Sequence, residues 1–212
     1  GHRAWKHKAE TAGGATFDML THMLDLALFC FGQPEEVESL YSDVVLKERV
    51  IGEELVKVDA EDCVFARLRM NGAEVFLQSD LITPSFMNTV EVHGDNGSFF
   101  GSILSRFPTT VYCMRAVGGY GEGENLFHFP QVNLIERELR YFVGCVMDGR
   151  SPETNSVEES IRIIQITDEL HRKSELRRLH REVLAQEWRE LRAPRLFGYP
   201  YPVDVLAPHR ER

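Results

Sequence analysis

Two carboxylates and an imidazole stand at i, i+4 and i+7 in the segment Gly13-Gly14-Ala15-Thr16-Phe17-Asp18-Met19-Leu20-Thr21-His22-Met23-Leu24-Asp25. On a helical period Asp18, His22 and Asp25 share one stripe, while Phe17, Met19, Leu20, Met23, Leu24, Leu26, Leu28 and Phe29 cover the rest. Such a helix is expected to be mostly buried, where ionisable groups are costly unless paired, hydrogen-bonded or lining a polar cavity. Three chemistries fit the stripe. A histidine held by a carboxylate one turn away can take a proton from an alcohol. Two carboxylates and one imidazole can make a facial set for a divalent ion, but nothing nearby supplies a further ligand. The third reading is a buried polar cluster that orients neighbouring strands, and spacing alone leaves it level with the functional ones.

The elements that must position these groups follow from composition and periodicity. With 212 residues, 43% of them hydrophobic, the chain can bury one good core, with room for a second small unit. A formal net charge of -9 argues against a nucleic-acid or anionic-membrane surface. Cys30, Cys63, Cys113 and Cys145 lie far apart without C-x-x-C spacing, so buried free thiols in a reducing, cytoplasmic compartment are expected. No apolar run approaches the roughly 20 residues of a membrane helix. The chain opens on Gly1-His2-Arg3 rather than Met, as a processed product, a tag remnant or an excised piece of something longer would.

The first helix is expected from about Ala15 to Phe31, stopped by Gly32 with Pro34 beyond. Six segments then carry strand signals: Val37 to Val45, Asp62 to Met70, Ala73 to Leu81, Thr89 to His93, Ser98 to Leu104 and Thr110 to Val117. Asn71-Gly72 and Asp95-Asn96-Gly97 offer positive-φ residues for tight turns. Strands without intervening helices imply α+β: an open, mostly antiparallel sheet of about six strands with helices packed on one face. A helix ending near Gly149 and a capping box at Ser156 and Glu159 follow. Beyond Leu170 the helix becomes strongly charged through Arg172 to Arg192, and Arg177-Arg178-Leu179-His180-Arg181 reads as a solvated face. A Pro- and aromatic-rich tail closes the chain, either as an extended arm docked on a neighbour or as a disordered end. We therefore divide the sequence into an α+β domain over 1–175 and a charged helix with tail over 176–212.

The pattern Gly-Gly-x-x-x-Asp-x-x-x-His-x-x-Asp of residues 13 to 25 resembles the hallmark segment of the glucose-fructose oxidoreductase, inositol dehydrogenase and MocA (Gfo/Idh/MocA) family. Two later segments are similar to that family as well. Val90-Glu91-Val92-His93-Gly94-Asp95-Asn96-Gly97-Ser98 resembles a strand-turn-strand of its C-terminal sheet. Phe142-Val143-Gly144-Cys145-Val146-Met147-Asp148-Gly149-Arg150-Ser151-Pro152, with the Val157 to Glu175 helix, resembles its closing helix pair. The likeness covers about residues 10 to 175 and implies the family's C-terminal domain, which shapes the substrate pocket and mediates oligomerisation. The N-terminal Rossmann domain is lacking, since no strand, G-x-G-x-x-G and helix unit and no Glu-Lys-Pro segment occur in the sequence. Gly118-Gly119-Tyr120-Gly121-Glu122-Gly123 reads as a turn, because no helical period follows and its acids would repel phosphate.

Carried over, the resemblance makes His22 the catalytic acid/base and Asp18 its partner or a second substrate contact. Asp25 becomes a substrate-binding residue or a lock on His22. No metal ligand and no cofactor-binding residue is assigned within the chain. The implied reaction is NAD- or NADP-dependent hydride transfer at a hydroxyl-bearing carbon of a sugar or cyclitol, the cofactor being held by the absent Rossmann domain. The implied partners are a small polyhydroxylated substrate and a second copy through the sheet face, where Val75, Leu77, Val90 and Val92 supply apolar surface. The alternative is a non-catalytic sugar-binding or dimerisation module of the same fold. His2 and Arg3 stand at about the spacing where some family members place polar substrate contacts, although Gly1-His2 also fits a cloning remnant; Trp5, Lys6 and His7 stand near the pocket mouth, where a loop with solvent-exposed Lys and His is the commoner explanation. His93 and His128 read as packing or surface residues.

Overall fold

The two-residue period of the strand Cys63–Met70 places Val64, Ala66, Leu68 and Met70 on one face, and all four are buried. This strand is the centre of the fold in the computed structural model, which describes residues 3–83, 88–104 and 106–191. In chain order the strands are β1 (Glu36–Asp43), β2 (Glu48–Ile51), β3 (Glu54–Lys57), β4 (Cys63–Met70), β5 (Ala73–Asp80), β6 (Thr89–Gly94), β7 (Gly97–Ser102), β8 (Thr109–Cys113) and β9 (Gly123–Phe127). The α-helices are α1 (Thr21–Phe31), α2 (Leu134–Asp148) and α3 (Val157–Leu191). Among the described residues the strands form a sheet β1-β4-β5, a hairpin β2-β3 and a sheet β6-β7-β8-β9, with every pairing antiparallel. The α+β architecture expected from the strand signals is therefore present.

All six expected strands form, and β2, β3 and β9 are additional. The β2-β3 hairpin is hard to read in advance, because each strand has four residues and its apolar Val50 and Leu55 remain exposed. Asn71 and Gly72 join β4 to β5 with φ of 48° and 78°, the pair of left-handed residues that a tight hairpin requires. Gly97 serves otherwise: it begins β7, and a Cβ there would collide with the Tyr112 carbonyl of β8. Space, rather than φ, demands glycine at that position.

One face of β1-β4-β5 carries the core. Leu20, Leu24 and Ala27 pack there against Val64, Ala66, Leu68, Met70 and Leu77, with Ile166 and Leu170 of α3 closing the layer. Fully burying each large aliphatic contributes about 1.5–3 kcal/mol. Val75 also packs against this cluster. Val75 and Leu77 thus belong to the core and are not free sheet surface. The first helix is less buried than its composition implies, since Phe29 is 77% exposed and Cys30 is exposed too. Its buried stripe is narrow because only one side meets the sheet.

The closing helices begin and end as their caps dictate. Asn133 Oδ1 accepts from the Glu136 N–H at the start of α2, and Gly149 ends it in a left-handed conformation. Ser156 and Glu159 form a reciprocal capping box: Glu159 N–H donates to Ser156 Oγ, and Ser156 N–H donates to Glu159 Oε2. The division placed at residue 175 falls inside α3, which continues to Leu191; the Pro-rich tail lies outside the described residues. All four cysteines are free, Cys113 and Cys145 buried and Cys63 partly so.

Candidate active site at the start of the first helix

Two glycines fold the N-terminal segment onto the helix start. A Cβ at Gly13 would lie 2.5 Å from the Trp5 carbonyl oxygen, and one at Gly14 would lie 2.6 Å from both Glu61 carboxylate oxygens. Gly14 has φ of +110°, which side-chain-bearing residues rarely adopt. With no Cβ in the way, Gly14 N–H donates to the Lys6 carbonyl at 2.9 Å, and the 3-10 turn Ala4–His7 lies against the glycine pair.

Glu61 then anchors the helix from the other side. Its carboxylate accepts from Thr16 N–H at 3.1 Å, and its main-chain carbonyl accepts from Ala15 N–H at 2.8 Å. A carboxylate at a helix start satisfies orphan N–H groups and complements the helix dipole. Glu61 is buried, as is Thr16. The first turn is π-helical over Thr16–Leu20 before α1 proceeds regularly. Single π-turns within helices occur frequently at functional sites.

Asp18 lies in the middle of this widened turn, and its carboxylate is held by Lys6. Lys6 Nζ donates to Oδ1 at 2.8 Å and Oδ2 at 2.6 Å, with side-chain exposures of 23% and 12% for the lysine and aspartate. The same ammonium lies 5.6 Å from the centre of the Trp5 ring. No hydrogen bond joins Asp18 to His22 among the described residues; the helical spacing is kept, but the carboxylate is committed to the lysine. His22 is exposed, one turn before Asp25 on the same helix. Burial pushes the Asp25 carboxyl above its ordinary value, with Glu159 of α3 adding to the effect and His22 opposing it.

The stripe thus becomes two coupled groups, Lys6 with Asp18 and Asp25 with His22 and Glu159. Lys6 stood among the residues at the pocket mouth, but its pairing needs the chain reversal at Gly13 and Gly14, which spacing cannot reveal. Glu61 and Glu159 carried no motif pointing here. His7 is fully buried rather than exposed, and its carbonyl accepts from Asp59 and Ala60 N–H groups. Trp5 is 43% exposed, Arg3 is exposed, and His2 lies outside the described residues. His93 and His128 are on the surface, His93 facing Glu91 at 3.6 Å. Among the described residues no group of three or more His, Cys, Asp or Glu could hold a metal ion, and no helix is long and apolar enough to cross a membrane.

Comparison with known proteins bears on the fold that carries these residues. Residues 1–100 match the family model "GFO/IDH/MocA C-terminal domain". No curated protein sequence matches the chain. Among solved structures, levoglucosan dehydrogenase in complex with NADH and L-sorbose is similar with a TM-score of 0.68 and 20% identity, over 80% of this chain and 50% of that one. An NAD-binding oxidoreductase from Klebsiella pneumoniae gives 0.65 and 16% identity, over 82% and 52%. The transcriptional regulator Gal80p from Kluyveromyces lactis gives 0.65 and 11%, over 82% and 47%. The chain therefore spans about half the length of the solved structures it matches, and at these identities the likeness is one of fold. Residues 1–100 are thus similar to the C-terminal domain of the GFO/IDH/MocA family, and the chain shares the fold of these oxidoreductases over about 80% of its length.

Proposed function

We propose that this chain is the substrate-binding and proton-transfer half of an NAD(P)-dependent oxidoreductase acting on a hydroxyl-bearing carbon of a sugar or cyclitol. The observation that carries the reading is the lysine-held Asp18 set one helical turn before an exposed His22. In the oxidative direction His22 accepts the hydroxyl proton as the carbon loses hydride. Asp18, its carboxylate fixed by Lys6, and Asp25 receive hydrogen bonds from neighbouring substrate hydroxyls. The similar levoglucosan dehydrogenase complexes contain NADH with levoglucosan or L-sorbose, consistent with this substrate class.

The dinucleotide does not fit the residues described. The glycine-rich stretch 118–123 turns through a bridge between Val117 and Tyr120 and leads into β9 rather than a helix, with Glu122 and Glu124 exposed. Neither a helix start nor a free nest of N–H groups faces a pyrophosphate there. We place the cofactor on another segment, and this chain's own residues handle the substrate and its proton. The four free thiols fit a cytoplasmic setting.

A second reading, a non-catalytic sugar-binding or assembly module, is favoured by the regulator of the same fold. Exposed Phe100, Tyr112 and Leu126 share one face of β6-β7-β8-β9 and offer a surface for a second copy. The deciding experiment expresses the gene product from its native start and assays NAD and NADP reduction with sugars and inositols. Turnover that falls about 10²–10⁴-fold in His22→Ala supports the enzyme. No turnover with any substrate, or an unchanged rate in His22→Ala, rejects the assigned role. Micromolar NAD binding by this chain alone would reject the placement of the cofactor elsewhere.

A further inference from the structure

Away from the helix start, α3 crosses β1 where the strand is irregular. The register against β4 shifts between Ser39 and Tyr41, leaving Leu40 as the extra residue of a bulge. Lys173, Arg177 and Arg181 recur at i, i+4 and i+8 along α3 and reach the carbonyls of Val37, Leu40 and Ser42 at 2.6, 3.4 and 3.4 Å. Beneath them the Ser39 and Ser174 hydroxyls meet at 2.6 Å, both buried. A cavity of about 240 Å³ opens at this crossing, lined by Ser39, Tyr41, Ser42, Arg177, His180 and Arg181, with Leu40 and Ser174.

The charges around the cavity are unevenly compensated. Arg177 pairs with Glu38, a carboxylate it shares with Arg67. Arg178 is turned away to Glu175 and Glu182. Arg181 pairs with no carboxylate among the described residues; its long bond to the Ser42 carbonyl occupies one donor of five. Burial holds the Tyr41 hydroxyl above its ordinary value, with Asp43, Cys63 and Asp62 adding to the effect and Arg181 opposing it. The wall thus combines an uncompensated guanidinium, a second one held by a shared acid, and hydroxyl donors in a recess. Guanidinium groups match phosphate oxygens in a planar fork, and hydroxyls complete such a shell.

We propose that this cavity binds the phosphate group of a small molecule, with Arg181 as the principal contact and Arg177, Tyr41 and Ser42 around it. It is distinct from the site at Asp18 and His22 and does not depend on the function assigned there. The test is titration of the chain with inorganic phosphate, and separately with glycerol 3-phosphate, at low constant ionic strength, followed by calorimetry and amide chemical shifts. Saturable binding is expected, weakened about tenfold or more in Arg181→Gln and severalfold in Tyr41→Phe, and unchanged in His22→Ala. Preference for glycerol 3-phosphate identifies an organic phosphate as the ligand, and equal binding identifies the free anion. Circular dichroism of Arg181→Gln, an exposed helix position, checks that the fold persists. Absence of saturable binding, or binding unaltered in both Arg181→Gln and Tyr41→Phe, overturns the proposal and leaves the basic residues as a cover for the β1 edge.

Discussion

Replacing Gly14 with alanine tests how the site is built. Two independent costs arise. The positive φ of 110° carries strain of about 1–3 kcal/mol for a residue with a Cβ. The new methyl also meets both Glu61 oxygens at 2.6 Å, so the carboxylate must withdraw and release the Thr16 N–H. Losing that charge-assisted hydrogen bond in a buried setting costs roughly 1.5–3 kcal/mol. The expected total is about 3–5 kcal/mol, a large fraction of a domain's stability. Gly149→Ala is the control, because its φ is +63° and nothing lies within 4 Å of the added Cβ; it should cost only about 1–2 kcal/mol. Urea unfolding with linear extrapolation measures both, and m-values should stay constant. In a Glu61→Ala background, Gly14→Ala should fall back to the strain cost alone, so the double-mutant cycle isolates the collision. Equal costs in the two backgrounds, or a Gly14→Ala no worse than Gly149→Ala, would refute the role given to Glu61.

Other outcomes are equally specific. Lys6→Met should destabilise by about 1–3 kcal/mol in urea, between the values for exposed and buried pairs, since the pair is largely shielded; a change below about 0.5 kcal/mol would remove the ion pair from the account. Asp25 has a raised pKa in the folded chain, so that state holds its proton longer than the unfolded one. Stability should therefore fall as pH rises from the ordinary Asp value through the raised one, and Asp25→Asn should abolish that fall. Parallel stability-pH curves for the two proteins would show that burial and Glu159 do not act on Asp25 as described.

Local chemistry made much of this molecule legible. Asn71-Gly72, the Ser156 and Glu159 box, Gly32 and Gly149 each acted within a few residues, and each appears where its local chemistry directs. The family motif likewise located Asp18, His22 and Asp25 on one helix start. What stayed hidden depends on distant chain segments meeting. Lys6 reaches Asp18 across twelve positions only because two glycines permit the reversal, and Glu61 arrives from a loop 45 residues away from Thr16. The Arg177 to Arg181 run is exposed as expected, but its contacts with the bulged strand stayed hidden for a similar reason, since a regular helix pattern contains no signal of the strand it crosses. Val75 and Leu77 alternate as an exposed sheet face would, and only the position of α1 decides that they are core.

The π-helical turn at Thr16–Leu20 also limits how this chain can change length. Such a turn behaves as a one-residue insertion, and each residue of an α-helix accounts for about 100° of rotation. Deleting one position there would let the helix close regularly, with Leu20 and Leu24 still able to find the sheet. Asp18 would then swing by about 100° relative to α1 and leave the ammonium of Lys6. A shortened chain could thus keep its packing while losing the arrangement next to His22, so this turn is where loss of folding and loss of chemistry can be separated by a single codon.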